Sequence, residues 1–168
     1  REIIEEQIKQ ALTSTYKVIS NQLIDDSKNK NFNLKSLDFS EIKDIKGKDD
    51  YIKLRANIDS KALKLRFSDN KIFIKNHPRN PGLKKIYELS EKVRYEILGS
   101  KMLNGIKKNL EDNYYQKINK IKINDINSKK ETNIIDAFEL YILEKFFKLT
   151  LNKISLQILG HWRKDFDK

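Results

Sequence analysis

Two short groups of charged residues have the spacings at which side chains meet on a helix. Arg55 and Asp59 are four residues apart, and oppositely charged residues at that spacing form ion pairs that contribute about 0.2–0.5 kcal/mol on a helix surface. Glu91, Arg94 and Glu96 follow in a later segment. The pattern favours an intrahelical ion pair for the first group and a solvated charged face for the second.

Arg94 also permits two other interpretations. It adjoins Val93 and precedes Ile97 by about one turn, so partial burial is possible. A buried arginine needs carboxylate partners, and Asp59 or Glu91 can supply them. A buried structural network and a surface that binds a partner therefore stay open beside the solvated face.

The residue types exclude most kinds of active site. The chain has no cysteine, which excludes thiol nucleophiles, thiolate zinc sites and disulfides and fits a reducing compartment. Its two histidines, His77 and His161, are isolated from other ligands and lack zinc-site spacing. No glycine-rich phosphate loop and no Gly-x-Ser-x-Gly elbow occurs. We therefore predict no catalytic residue, no metal site and no cofactor bound by this chain.

Trp162 and Arg163 form a second candidate pair, just after the last apolar segment. A tryptophan there can close the hydrophobic core or anchor another subunit, because large aromatic side chains dominate binding energies at interfaces. The position favours core closure.

The net charge of +11 suggests an anionic partner, but its composition weakens that inference. Lysine accounts for 29 of the 35 basic residues, and lysine, isoleucine and asparagine share A/T-rich codons. Residues 51–100 carry 12 basic and 5 acidic residues, against 9 and 10 in residues 1–50. The middle of the chain is thus a candidate positive face, although phosphate recognition usually relies on arginine.

The length of 168 residues suits one domain with a substantial core. No apolar run approaches the ~18 residues of a transmembrane helix, and the first residues do not resemble a signal peptide. We expect a cytoplasmic domain with no membrane partner. The absence of an initial methionine suggests a fragment of a longer protein.

Apolar residues at helical spacing predict an all-α domain of five to six helices with a long loop in its N-terminal third. The predicted helices cover about 4–23, 50–67, 81–98, 100 to beyond 110, 134–150 and 151–159. Three segments lie between them. Residues 25–50 are predicted to be a long loop with apolar anchors, 68–82 a mixed segment ended by prolines, and 118–133 a loop or edge strand. The tail 161–168 is predicted to lead out of the domain.

Glycine and proline mark the expected boundaries. Asn80 and Pro81 resemble an N-cap followed by proline at the first helical position. Gly99 is expected to end a helix in the left-handed conformation, with Ser100 as the next N-cap. Gly105 then lies inside a helix, where glycine costs about 1 kcal/mol relative to alanine, and we expect another helix to approach it closely. A continuous kinked helix through Gly99 is the alternative.

Several of these residues resemble a family pattern. In the family, an Arg-Gly/Ala-x-x-Asp-x-x-Ala-Leu-x-Leu-Arg segment precedes Glu-x-x-Arg-x-Glu-x-x-Gly, then Gly-Val/Ile-x-x-Asn-Leu, and later Leu-x-x-Trp-Arg. The corresponding positions are Arg55, Ala56, Asp59, Ala62, Leu63, Leu65, Arg66, Glu91, Arg94, Glu96, Gly99, Gly105, Asn109, Leu110, Leu159, Trp162 and Arg163. From about residue 50 onward the chain therefore resembles the N-terminal region of CobT, a subunit of the aerobic cobaltochelatase.

The resemblance implies a multi-subunit machine that uses ATP to insert Co²⁺ into hydrogenobyrinic acid a,c-diamide during cobalamin biosynthesis. Its implied partners are an AAA+ ATPase subunit, which needs ATP and Mg²⁺, and a large chelating subunit. Family members continue through an acidic linker into a von Willebrand A domain, and no Asp-x-Ser-x-Ser motif of such a domain occurs here. Residues 1–168 are thus expected to be the helical N-terminal domain.

Three functions remain to be distinguished. The first is a non-catalytic scaffold that couples the ATPase to the chelating subunit. The second is a basic helical domain that binds nucleic acid, whose affinity would fall steeply with salt as counterions are released; we consider nucleic acid unlikely as a partner. The third is direct binding of the carboxylate-bearing corrin by a lysine-rich face.

Overall fold

The computed structural model describes residues 2–20, 42–43, 45–121 and 128–168. Eight α-helices occur within these ranges, and the six longest correspond in number to the five to six predicted. They are α1 (Glu2–Ser20), α2 (Lys48–Phe67), α3 (Asn70–Lys75), α4 (Pro81–Met102), α5 (Asn104–Asn119), α6 (Ile134–Ile142), α7 (Lys153–Gly160) and α8 (Arg163–Phe166). The described part of the chain contains no strand, so the predicted all-α single domain is confirmed.

Helix α2 is the centre of the first half of the fold. It packs against α1, α4 and α5, and α4 also packs against α5 and α6. The second half consists of α6 with α7 and α8 on it. One hydrophobic core runs through both halves and includes Leu12, Ile58, Leu110, Leu143 and Leu159. Helix α4 is therefore the helix of the first half that packs most extensively on the second.

The structure contradicts the predicted roles of the two glycines. Helix α4 continues through Gly99, as the alternative prediction of a continuous helix expects, and ends at Met102. Gly99 is therefore not a C-terminal cap and Ser100 is not an N-cap. Gly99 is instead the position where α2 comes close, because a Cβ there would lie 2.9 Å from Cγ of Leu63 and closer still to its methyl groups. Gly105 is exposed in the first turn of α5 and has nothing within 4 Å of its Cβ position.

The segment between α2 and α4 contains a short helix that periodicity did not predict. Asp69 caps α3 by accepting hydrogen bonds from the backbone N–H groups of Lys71 and Ile72. The predicted start of α4 is confirmed, because the Asn80 side chain accepts from the N–H groups of Gly82 and Leu83 while Pro81 takes the first helical position.

The predicted helix over 134–150 is shorter than expected. Regular α-helix ends at Ile142, and residues Leu143–Phe147 form a π-helical turn that closes with Lys148 in the left-handed conformation, at φ 59°. Phe146, in this turn, is 62 % exposed because the wider turn rotates it outward. Helix α7 begins at Lys153 after an Asn152 N-cap, rather than at residue 151.

The prediction that the tail leads out of the domain is wrong. Residues 163–166 form α8, which packs on α6 and α7. The Phe166 ring meets Phe138 edge-on at 5.4 Å, and the Tyr141 hydroxyl donates to the Asp167 carboxylate at 2.9 Å. The apolar content of the tail explains the difference, since Trp162 and Phe166 bury surface only by folding back.

Most of the loop predicted at 25–50 lies outside the described residues, including Phe32, Leu34, Leu37 and Phe39, and so does 122–127 within the segment predicted as a loop or edge strand. The described flank of that second segment is a 3-10 turn at Lys129–Glu131. Among the residues that the structure describes, no helix combines the length and apolarity needed to cross a bilayer.

We expect Gly99→Ala to lower stability by about 1–3 kcal/mol, because Leu63 is fully buried and has no room to move away from an added methyl group. Thermal unfolding followed by circular dichroism measures the change. Gly105→Ala is the matched control, and its melting temperature should stay level or rise. Equal losses in both variants would contradict the close approach of α2 at Gly99.

Candidate functional site

Asp59 is a fully buried carboxylate at the junction of α1, α2 and α5. Its Oδ2 accepts a hydrogen bond from Asn109 Nδ2 at 2.8 Å and another from Arg55 Nε at 3.2 Å. Arg55 Nη1 also donates to the Thr15 hydroxyl at 3.3 Å. The predicted Arg55–Asp59 ion pair within α2 exists, but it faces the neighbouring helices α1 and α5 rather than the solvent.

Burial and pairing act on Asp59 in opposite directions. Removal from water raises the pKa of the Asp59 carboxyl, while the Asn109 hydrogen bond and the Arg55 charge lower it and offset part of that effect. A buried carboxylate left without such donors would cost several kcal/mol, on the order of the penalty for breaking a buried ion pair. Arg55 and Asn109 therefore stabilise a carboxylate at this buried position.

Glu96 is the second buried carboxylate, with 1 % of its surface exposed, so its predicted place on a solvated face is wrong. It accepts hydrogen bonds from the Ser60 hydroxyl of α2, at 2.5 Å, and from the Tyr114 hydroxyl of α5. Lys92 Nζ lies 3.8 Å from Oε1. Burial raises the pKa of Glu96, and the Lys92 charge and the two hydroxyl donors oppose that rise.

Glu91 and Arg94 form a third group, at the C-terminal end of α2. Arg94 donates from Nε to Glu91 Oε2 at 2.7 Å and from Nη2 to the backbone carbonyl of Phe67 at 2.6 Å. The Ser68 hydroxyl donates to Glu91 Oε1 at 2.6 Å. Of the two proposed partners of Arg94, the structure selects Glu91 and rejects Asp59.

The Arg94 side chain is 47 % exposed, so of the three interpretations left open for Arg94 the structure excludes the buried one. The hydrogen bonds from Arg94 lower the pKa of Glu91. Because Arg94 also donates to the carbonyl of Phe67, the last residue of α2, the pair connects α4 to the end of α2 rather than forming an isolated surface bridge.

Trp162 and Arg163 lie in the other half of the fold and join none of these groups. The Trp162 indole N–H donates to the Thr132 hydroxyl at 2.7 Å, and the ring packs half-buried against the core, as the core-closing interpretation expects. Arg163 makes a two-pronged ion pair with Glu144, at 2.9 and 2.7 Å. An anchoring role of this pair toward another subunit stays a prediction.

Sequence reasoning missed the hydroxyl groups that complete the network. Thr15, Ser60, Ser68 and Tyr114 each donate to, or accept from, one of the charged side chains. Ser60 follows Asp59 directly, and Tyr114 lies one turn after the buried Leu110. That periodic position was a signal for burial, and a buried tyrosine hydroxyl usually has a hydrogen-bond partner.

A surface groove of about 420 Å³ lies over the Glu96 cluster. Lysines and amides line it, namely Lys53, Asn57, Lys92, Asn113, Gln116, Lys117 and Lys120. Lys92 approaches Glu96 and Lys117 pairs with Glu139, so two of its four lysines already face internal carboxylates. The hypothesis that a lysine-rich face binds the corrin stays a prediction.

An apolar groove of about 290 Å³ separates α4 from α6 and the π turn. Its lining includes Val93, Ile97, Phe138 and Phe146, with Arg94 at its side. Elsewhere, within the described ranges, no three His, Asp or Glu side chains are grouped as metal ligands. The charged clusters thus consist of side chains that pair with one another across helices.

We expect Asn109→Ala to destabilise the fold by about 1–3 kcal/mol, because the buried Asp59 carboxylate loses its shortest donor. Urea unfolding measures the change. Asn113→Ala is the matched control on the same helix, since the Asn113 side chain is half-exposed and makes no hydrogen bond within the described part of the chain. If the two variants unfold at the same urea concentration, Asn109 does not support Asp59.

The two glutamates predict opposite pH dependences. Because the pKa of Glu96 is raised in the folded state, the folded protein holds this proton more tightly than the unfolded chain, so stability falls as pH rises from the ordinary glutamate pKa toward the raised one. Glu96→Gln should remove this decrease in the free energy of unfolding. Between the ordinary and the raised glutamate pKa, wild type should therefore lose stability relative to the variant as pH rises.

Glu91 supplies the comparison of opposite sign. Its lowered pKa contributes stability above the ordinary glutamate pKa, and that contribution is lost as pH falls through the lowered value. Wild type should therefore be more stable than Glu91→Gln near neutral pH and should approach it in acid. Urea unfolding over a pH series tests both variants, and parallel profiles for wild type and Glu96→Gln would contradict the burial of a titrating Glu96.

Comparison with protein families gives one match that covers nearly the whole chain. The family described as cobalamin biosynthesis protein CobT matches residues 2–168. No significant match was found among curated proteins or among solved structures. The match includes all of the described helices and the network around Asp59 and Glu96. The chain belongs to the CobT family, whose members take part in cobalamin biosynthesis.

Proposed function

We propose that this chain is a non-catalytic assembly and coupling domain of an ATP-dependent cobaltochelatase. In this role it connects an AAA+ ATPase subunit to the large subunit that inserts Co²⁺ into hydrogenobyrinic acid a,c-diamide. ATP, Mg²⁺ and Co²⁺ belong to those subunits, and this domain binds none of them. The complex operates in the cytoplasm.

The observation that carries the proposal is the direction in which the charged residues of the CobT pattern point. Asp59 and Glu96 are buried, and their hydrogen-bond donors come from neighbouring helices. Groups that react with a substrate must reach it, whereas these carboxylates face inward and join α1, α2, α4 and α5. Such an arrangement supports a rigid scaffold more than a reaction site.

Rigidity is what a coupling domain requires. A conformational change in an ATPase can be transmitted only through elements that move as a unit, because a soft connection absorbs the displacement. Helix α4 contacts α2 and α5 on one side and α6 on the other. This continuous path through the domain supports a role in transmitting force or position between two partners.

The proposal predicts a nucleotide-dependent complex. We expect this domain, mixed with the AAA+ subunit and ATP, to elute as one species in size-exclusion chromatography with light scattering, and to separate from it when ADP replaces ATP. The ATPase subunit alone and the domain alone are the controls for their masses. Separate elution of a correctly folded domain under all nucleotide conditions would contradict coupling through these residues.

A further inference from the structure

The segment from Asp69 to Lys85, which we term the basic arm, projects from the body of the fold. It contains α3 and the turn into α4. Of its 17 residues only Phe73, His77 and Pro78 are half-buried, and all the others are exposed. The arm therefore contributes little to the core and presents nearly all of its side chains outward.

The arm is nevertheless held in place at its base. The Phe73 ring stacks on Tyr87 of α4 with centroids 5.2 Å apart, and His77 meets Tyr87 edge-on at 5.8 Å. The Tyr87 hydroxyl donates to the Phe73 carbonyl, and His77 Nε2 lies 3.1 Å from Glu88 Oε1. These contacts attach the arm to α4, so its outer face is a fixed surface rather than a loose loop.

The arm carries a net positive charge. Between residues 70 and 87 the sequence contains five basic residues and no acidic one; the basic residues are Lys71, Lys75, Arg79, Lys84 and Lys85. Asp69, at the edge, is occupied as the cap of α3. A surface of this kind attracts anionic partners and accelerates their association at low salt.

The arm also exposes large aliphatic side chains. Ile72, Ile74 and Leu83 are 60, 64 and 57 % exposed. Single exposed apolar residues are common on protein surfaces, but here three lie within twelve residues, on a segment held rigid by its aromatic base. A partner that covers them removes apolar surface from water and gains affinity that charge alone does not supply.

From these observations we propose that the basic arm is a docking surface for an acidic protein segment that carries apolar side chains. This docking surface rests on the assembly role proposed above, because it specifies the chemistry of one partner that this domain binds in that assembly. The acidic residues pair with the five cations of the arm, and the apolar residues cover Ile72, Ile74 and Leu83.

Other occupants fit the arm less well. A second copy of the chain would bring two arms of the same sign together in a protein whose net charge is +11. A single-stranded nucleic acid needs free aromatic faces on which bases stack, and Phe73 and Tyr87 stack on each other instead. An anionic lipid surface shares the required charge, and the experiment below separates it from a protein.

The experiment measures binding of a fluorescent peptide composed of glutamate and leucine to the purified domain by anisotropy. We expect Lys71→Glu combined with Lys75→Glu to weaken binding about tenfold or more, because it reverses two of five charges. We expect Ile72→Ser combined with Ile74→Ser to weaken it several-fold, while binding of a peptide of glutamate alone changes little. Circular dichroism checks that each variant folds.

Lys101→Glu combined with Lys108→Glu is the matched control, because both lysines are exposed outside the arm and the change in net charge is the same. Equal weakening in this control would show attraction to overall charge and overturn the docking surface. The absence of any peptide binding would also overturn it. Tighter binding to vesicles of phosphatidylserine and phosphatidylcholine than to the peptide, lost in the arm variants, would assign the arm to lipid and overturn the protein partner.

The two proposals fail separately. In one outcome, the peptide does not bind, but the AAA+ subunit forms its nucleotide-dependent complex equally well with wild type and with the Lys71/Lys75 variant. That outcome would retain the assembly role and reject the arm as a docking surface. Peptide binding by the arm without any complex would retain the arm as a docking surface and reject coupling to that subunit.

Discussion

Two carboxylates in the interior, Asp59 on α2 and Glu96 on α4, set the constraint on which the first half of the fold depends. A buried carboxylate is tolerated only where donors meet it with good geometry. Asn109 reaches Asp59 and Tyr114 reaches Glu96, and both donors come from α5. Sliding α5 by one turn would separate both pairs at once. The register of α5 against α2 and α4 is therefore specified by polar contacts as well as by shape.

Close packing and polar contacts support each other at the α2–α4 interface. Gly99 lets Leu63 approach the backbone of α4, and one turn earlier on the same helix Glu96 accepts from Ser60. At the end of α2, Arg94 and Glu91 bind the last carbonyl and the hydroxyl of Ser68. Three successive turns of α4 thus contact α2 through different kinds of interaction, so close packing and polar contacts fix the position of α4 on α2 together.

The acidic and the basic residues of this domain have different roles. The carboxylates of the CobT pattern are used internally, whereas most lysines in the described part of the chain are exposed, four of them on the basic arm. A scaffold needs both properties, because its interior must hold a fixed shape while its surface distinguishes among partners. The proposed assembly role and the proposed docking surface follow from these separate sets of residues.

The sequence by itself determined the helical class, the cap at Asn80 and Pro81, the Arg55–Asp59 pair and membership in the CobT family, because these depend on local spacing or on ordered motifs along the chain. It did not determine which side of each helix faces inward. For Glu96 and Arg94, two residues apart, local spacing favoured a solvated face and left the burial of Arg94 open. Packing against Ser60 and Tyr114 buries Glu96, whereas the Arg94 side chain is 47 % exposed. The close approach of a neighbouring helix was assigned to Gly105 instead of Gly99 for the same reason. A glycine that ends a helix and one that admits a neighbour have the same local sequence signal, and only the position of Leu63 on another helix decides between them.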